Sequence, residues 1–149
     1  MTIVQQIDRD LTEALKSRQA ERLGALRMVK TALKLRETEV PGSLGDDDAL
    51  RVLSTLIKQR RDAAEQFRAA GREDLARKEE REATVIQEYL PEAASPDDMG
   101  RAVEEAVAET GATSPKDMGA VMKAARARLQ GKTVDGKALS DLVKSRLAR

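Results

Sequence analysis

From Ile3 to Leu147 apolar residues recur at intervals of three and four, and no run alternates apolar with polar as a half-buried strand would. A chain with that period along its whole length buries its apolar atoms by packing helix on helix. The expected fold class is therefore all-α.

Capping and breaking signals divide the pattern. Thr2 and Gln5 have capping-box spacing and open a first helix that lines up Ile3, Ile7, Leu11 and Leu15. From Glu21 to about Glu39 a second helix carries Leu23, Leu26, Met28, Val29, Ala32, Leu33 and Leu35. VPGSLGDDD reads as a loop, its Asp run supplying an N-cap and favourable charge to a third helix with Leu50, Leu53, Ile57, Ala64 and Phe67 that stops at Gly71. A fourth, Glu73 to Tyr89, has a thin stripe of Leu75, Ala83, Ile86 and Leu90. Its ARKEEREA stretch reads as a solvated face, projecting from the bundle or lying outside it.

YLPEAASPDD then breaks the pattern with two prolines. The expected organisation is an N-terminal domain of about four helices (1–90), a linker (91–95) and a C-terminal three-helix domain (96–149). Ser95 with Pro96, and Ser114 with Pro115, each mark a helix start, and Gly111 and Gly131 each mark an end. Asp135 caps the last helix, which carries Leu139, Leu142, Val143 and Leu147.

Composition excludes several function classes. With no Cys, no His and no Trp, zinc fingers, thiol chemistry and His-based triads are unavailable, and no metal or cofactor is expected. The stretch MTIVQQIDRDL is charged within ten residues, neither a signal peptide nor a membrane span, so a cytoplasmic protein with no membrane contact is expected. Gly131, Lys132 and Thr133 mimic the end of a phosphate-binding loop, but Arg126 stands where its first glycine belongs and a helix rather than a strand precedes it. The seven serines have no base to activate them, so no catalytic residue is assigned.

What remains is charge. Residues 91–115 carry one basic and six acidic side chains, whereas 116–149 carry nine basic and three acidic. Lys116, Lys123 and Gln130, seven apart, fall on one line of a helix, with Arg126 and Arg128 close by and Gly119, Ala120 and Ala127 as small residues between. Lys132 and Lys137 stand in the turn GKTVDGK, beside backbone N–H groups of the last helix that are expected to be free for an anion, and Lys144 and Arg146 extend the charge. From spacing alone the same cations also read as solubilising charge.

The block AAGREDLARKEEREATVIQEYLP and the ordered pattern MGAVM, GK, DGK resemble the YqeY family, whose members look like the tail of the GatB subunit of tRNA-dependent amidotransferases. The matching positions are Met118, Gly119, Val121, Met122, Gly131, Asp135, Gly136 and Lys137. The resemblance covers essentially the whole chain and implies an all-helical protein whose C-terminal three-helix domain is akin to the part of GatB associated with tRNA contact. It implies a tRNA-binding accessory with no catalytic centre of its own. The alternative it leaves is a helical adaptor for a protein of tRNA aminoacylation or amidation. Nothing in the chain matches the catalytic cradle of the amidotransferase, so a carbon–nitrogen ligase activity with glutamine as amide donor would belong to the relative.

Overall fold

The computed structural model describes every residue, Met1–Arg149, and is all-helical. Seven α-helices follow in order: α1 Ile3–Lys16, α2 Ala20–Glu37, α3 Asp46–Ala69, α4 Glu73–Gln87, α5 Pro96–Thr110, α6 Met118–Arg128 and α7 Gly136–Leu147. They fall into two compact units, Met1–Leu90 and Pro91–Arg149.

The N-terminal unit is built on Ile7 of α1, Leu26, Val29 and Leu33 of α2, Leu53 and Ile57 of α3 and Ile86 of α4, all essentially buried. Thr2 caps α1 through the reciprocal bonds its spacing predicts. Two expected core residues are exposed instead, Leu15 at 53% and Leu35 at 64%. Helical period explains both: Leu35 lies about 200° around α2 from Leu33, and Leu15 lies about 80° from Ile7, whose line passes through the buried Ala14. Leu50 and Phe67 are only partly buried.

The Asp run does not cap α3. Gly45 is its N-cap, with no side-chain bond, and Asp46 reaches the other way to accept from the Ile3 backbone N–H of α1 at 3.0 Å. A carboxylate at the start of one helix thereby satisfies an orphan donor at the start of another.

The charged middle of α4 is not a simple solvated face. Arg60 of α3 lies 3.2 Å from Glu82 and 3.8 Å from Glu79, and Arg68 lies 2.8 Å from Glu73 and 2.7 Å from Glu80. The α3–α4 hairpin is thus laced by ion pairs on either side of the buried Ala64 and Ala76. At its other end Tyr89, 9% exposed, donates its hydroxyl to Asp10 at 2.6 Å. Burial and the neighbouring Asp10 carboxylate both disfavour the phenolate, so the Tyr89 pKa is raised above its ordinary value.

In the C-terminal unit α5, α6 and α7 enclose Met99, Val103, Ala106, Val121, Ala125, Leu129, Leu139, Val143 and Leu147. Side chains start its helices. Ser95 forms a capping box with Asp98 ahead of Pro96, and Ser114 forms one with Asp117. The second box opens a single 3₁₀ turn, Pro115–Asp117, so α6 itself begins only at Met118. Gly111 and Gly131 have φ of 66° and 89°, the left-handed geometry that favours glycine after a helix. Leu142 stays 37% exposed, because three residues on from Leu139 it sits at the edge of the buried face rather than on it.

Residues 91–94, read above as linker, are hydrogen-bonded within this unit. The Thr133 N–H donates to the Glu92 carbonyl at 3.0 Å, the Ala94 N–H to the Thr133 carbonyl at 2.8 Å, and the Thr133 hydroxyl to the Pro91 carbonyl at 2.7 Å. Prolines mark a break in helix, and they do not reveal which backbone groups lie opposite. Thr133 supplies those groups from 40 residues away.

Candidate nucleic-acid interface

Of the eight cations singled out above, Lys137 stands in the first turn of α7 with its backbone N–H donating to Asp135, and the other seven divide into those that face carboxylates of their own chain and those that do not. Arg128, at the end of α6, spans two turns of α5, donating to Glu105 at 2.8 Å and to Glu109 at 3.0 Å. From α7, Arg146 donates to Glu104 of α5 at 2.8 Å. Lys132, in the α6–α7 turn, donates to Asp98 at 2.8 Å. The acidic helix therefore lies against the basic ones and pairs with both, and the whole C-terminal unit carries ten basic and nine acidic side chains.

Asp98 is the most perturbed of these acids. The Lys132 ammonium and the Ser95 backbone and hydroxyl donors hold its pKa down to about 2, and the Lys132 pKa is raised in return. Lys132 is consequently turned toward α5 and away from the start of α7.

The expected anion site at the start of α7 is filled by the chain itself. Asp135 caps the helix, and its Oδ1 accepts from the backbone N–H of Lys137 at 3.1 Å and of Ala138 at 3.2 Å. The signal for this was in the sequence, since the residue that makes a good N-cap is also an anion for the same donors. Gly136 has a further reason to be glycine: a Cβ there would stand 3.0 Å from Nη2 of Arg126, so the guanidinium lies over the first residue of α7.

Lys116, Lys123 and Arg126 keep clear of every carboxylate and are exposed. With exposed Gly119, Ala120 and Ala127 they form one outward face of the 3₁₀ turn and α6. A Cβ at Gly119 would meet nothing within 4 Å, so this face is open above the glycine. Lys144 of α7 is likewise exposed and unpaired. Met118 and Met122 pack against the core from the inner side of α6. Sequence reasoning missed Arg101, the one cation on α5, which with Arg128 and Lys132 lines a shallow cleft of about 270 Å³ between α5 and the end of α6. No helix is long and apolar enough to cross a membrane.

The fold and this surface define a class: an all-helical protein of two units that offers a cationic helix face. A YqeY-like family model matches residues 4–147, and the chain belongs to the YqeY family. Among curated relatives, an uncharacterized protein of Schizosaccharomyces pombe is 38% identical over 89 residues, covering 60% of this chain and 72% of that protein. The protein named altered inheritance of mitochondria protein 41, mitochondrial, is 33% identical over 82 residues in Saccharomyces cerevisiae and 35% over 85 in Meyerozyma guilliermondii. In both cases the chain spans 44% of the relative's length.

Proposed function

We propose that this protein is an accessory module that binds tRNA through the outward face of α6, gripping phosphates and shape rather than bases. The observation that carries the reading is the set Lys116, Lys123 and Arg126: three exposed cations, none paired to a carboxylate, interleaved with residues small enough for a phosphate backbone to come close. The resemblance of the C-terminal unit to the GatB tail points the same way. One Phe and one Tyr offer no platform for stacking unpaired bases, which favours recognition of a folded RNA by its backbone. The adaptor alternative finds less support, because the carboxylates of α5 that would draw a basic partner already face Arg128, Lys132 and Arg146. A cytoplasmic location is part of the proposal, while the budding-yeast relatives are named as mitochondrial.

Binding of purified tRNA at low salt tests it. Replacing Lys116, Lys123 and Arg126 together by Ala should weaken binding at least tenfold, whereas Lys132→Ala should change it less than about twofold. Gly119→Ala sharpens the test: it should stabilise α6 by roughly 0.5 to 1 kcal/mol, since Ala is the better helix former, yet weaken tRNA binding by holding the backbone off. A triple variant that binds like the parent would sink the reading.

A further inference from the structure

Four ion pairs of the C-terminal unit run in one direction. Each joins a cation on α6, α7 or the turn between them to a carboxylate on α5. Glu105 and Glu109 stand four residues apart on α5, about 6 Å along its axis, and Arg128 bridges them; Glu104, on the adjoining edge, takes Arg146. These side chains are between a third and three-fifths exposed, so the pairs are weak and exchange with solvent.

We infer that α5 is an internal competitor for polyanions, which holds Arg128 and Arg146 out of phosphate contact and leaves binding to the unpaired cations of α6. It rests on the cationic surface proposed above, and it concerns how that surface is regulated rather than which RNA it takes. The physical argument is one of counterions. An unpaired lysine that meets a phosphate releases the cation condensed there, and that release drives binding. Arg128 must first leave two carboxylates, which then need cations of their own, so the net release is close to zero. Paired arginines thus add little affinity and little salt dependence, and the surface discriminates against polyanions that cannot engage α6.

The test compares two variants of equal charge. In one, Glu104→Gln, Glu105→Gln and Glu109→Gln remove three negative charges and free two arginines, while keeping side-chain length and helix propensity. In the other, Glu92→Gln, Asp97→Asn and Asp141→Asn remove three negative charges from the same unit, where no ion pair is lost. Circular dichroism checks that both fold. The probe is poly(U), which measures charge with no folded shape to recognise. The α5 variant should bind it more tightly than the control, with a log–log salt slope steeper than the parent's by about 1.4, at about 0.7 for each freed arginine. The control slope should move by less than half of that. Equal slopes for the two variants, or no binding of poly(U) by the α5 variant at low salt, would overturn the inference. The two readings fail separately. If tRNA binds no better than poly(U) while the slopes still differ, the tRNA reading falls and the competitor stands. If the α6 triple variant loses tRNA while the α5 variant matches its control, the competitor falls and the tRNA reading stands.

Discussion

In the N-terminal unit α2 pairs with each of its neighbours, and a further set of ion pairs binds α3 to α4, holding together a hairpin whose far half has few buried side chains other than Ala64 and Ala76. In the C-terminal unit the pairs lie outside a core that already encloses three helices, and they join one acidic helix to two basic ones. The same chemistry therefore has two consequences. Along α3–α4 it supports structure where apolar burial is thin. Around α5 it sets how much positive charge the unit presents, with structure secondary. The units also start their helices differently: of the N-terminal helices only α1 has a side-chain cap, Thr2, whereas Ser95 and Asp135 cap α5 and α7 and a 3₁₀ turn leads into α6.

The largest expected effect tests whether the units are separate at all. Leu139 is fully buried in the smaller C-terminal core, and Leu139→Ala should cost about 2 to 5 kcal/mol, a large share of what so small a unit can supply. In a urea titration helical circular dichroism should then fall in two steps, with Tyr89 fluorescence, a reporter of the N-terminal unit, following only the second. One coincident transition would break the comparison.

Next comes the part-buried contact of Tyr89 with Asp10 in the N-terminal unit. Tyr89→Phe removes a hydrogen bond to a carboxylate and should cost about 1.5 kcal/mol, the low end for a charged acceptor because Asp10 keeps 30% of its side chain in solvent. Since folding raises the Tyr89 pKa, its contribution is complete below pH 10 and is lost as the pH climbs toward the folded value. Thermal melts of parent and variant should therefore converge in strong alkali.

Asp135→Ala should cost about 1 kcal/mol, read as the melting temperature of the C-terminal unit, through loss of the bonds to Lys137 and Ala138. A change within error would mean that water replaces the cap.

The smallest effect concerns acid. Asp98 titrates at about 2 in the folded chain, below its ordinary value, so its contribution is present above pH 4 and is lost as the pH falls from about 4 to about 2. In Lys132→Ala the first cause of the shift is gone. The Asp98 carboxyl carbon, followed by NMR, should then titrate closer to an ordinary carboxylate, with the Ser95 donors still holding it somewhat low.

What could be read from the sequence was what is local. Thr2, Ser95 and Asp135 carry their roles within three residues of themselves, and Gly111 and Gly131 follow the helices they end. The α6 face was legible for the same reason, because 116, 119, 120, 123 and 127 share a side by period alone. Pairings across the fold were not. Nothing near Asp46 says that it serves Ile3, and nothing near Thr133 says that it holds residues 91–94. Likewise, counting cations from 116 to 149 could not show that Arg128, Lys132 and Arg146 turn to α5, although the acidic run just upstream gave the matching charge.

The salt dependence of tRNA binding by the unaltered chain tests the account most directly. If only the unpaired cations of the 3₁₀ turn and α6, together with Lys144 of α7, meet phosphate, the log–log slope should lie between about −2 and −4, at about 0.7 to 0.9 per contact. A slope of about −6 or steeper would mean that the paired arginines and Lys132 engage phosphate as well, and the division of the surface by α5 would be wrong.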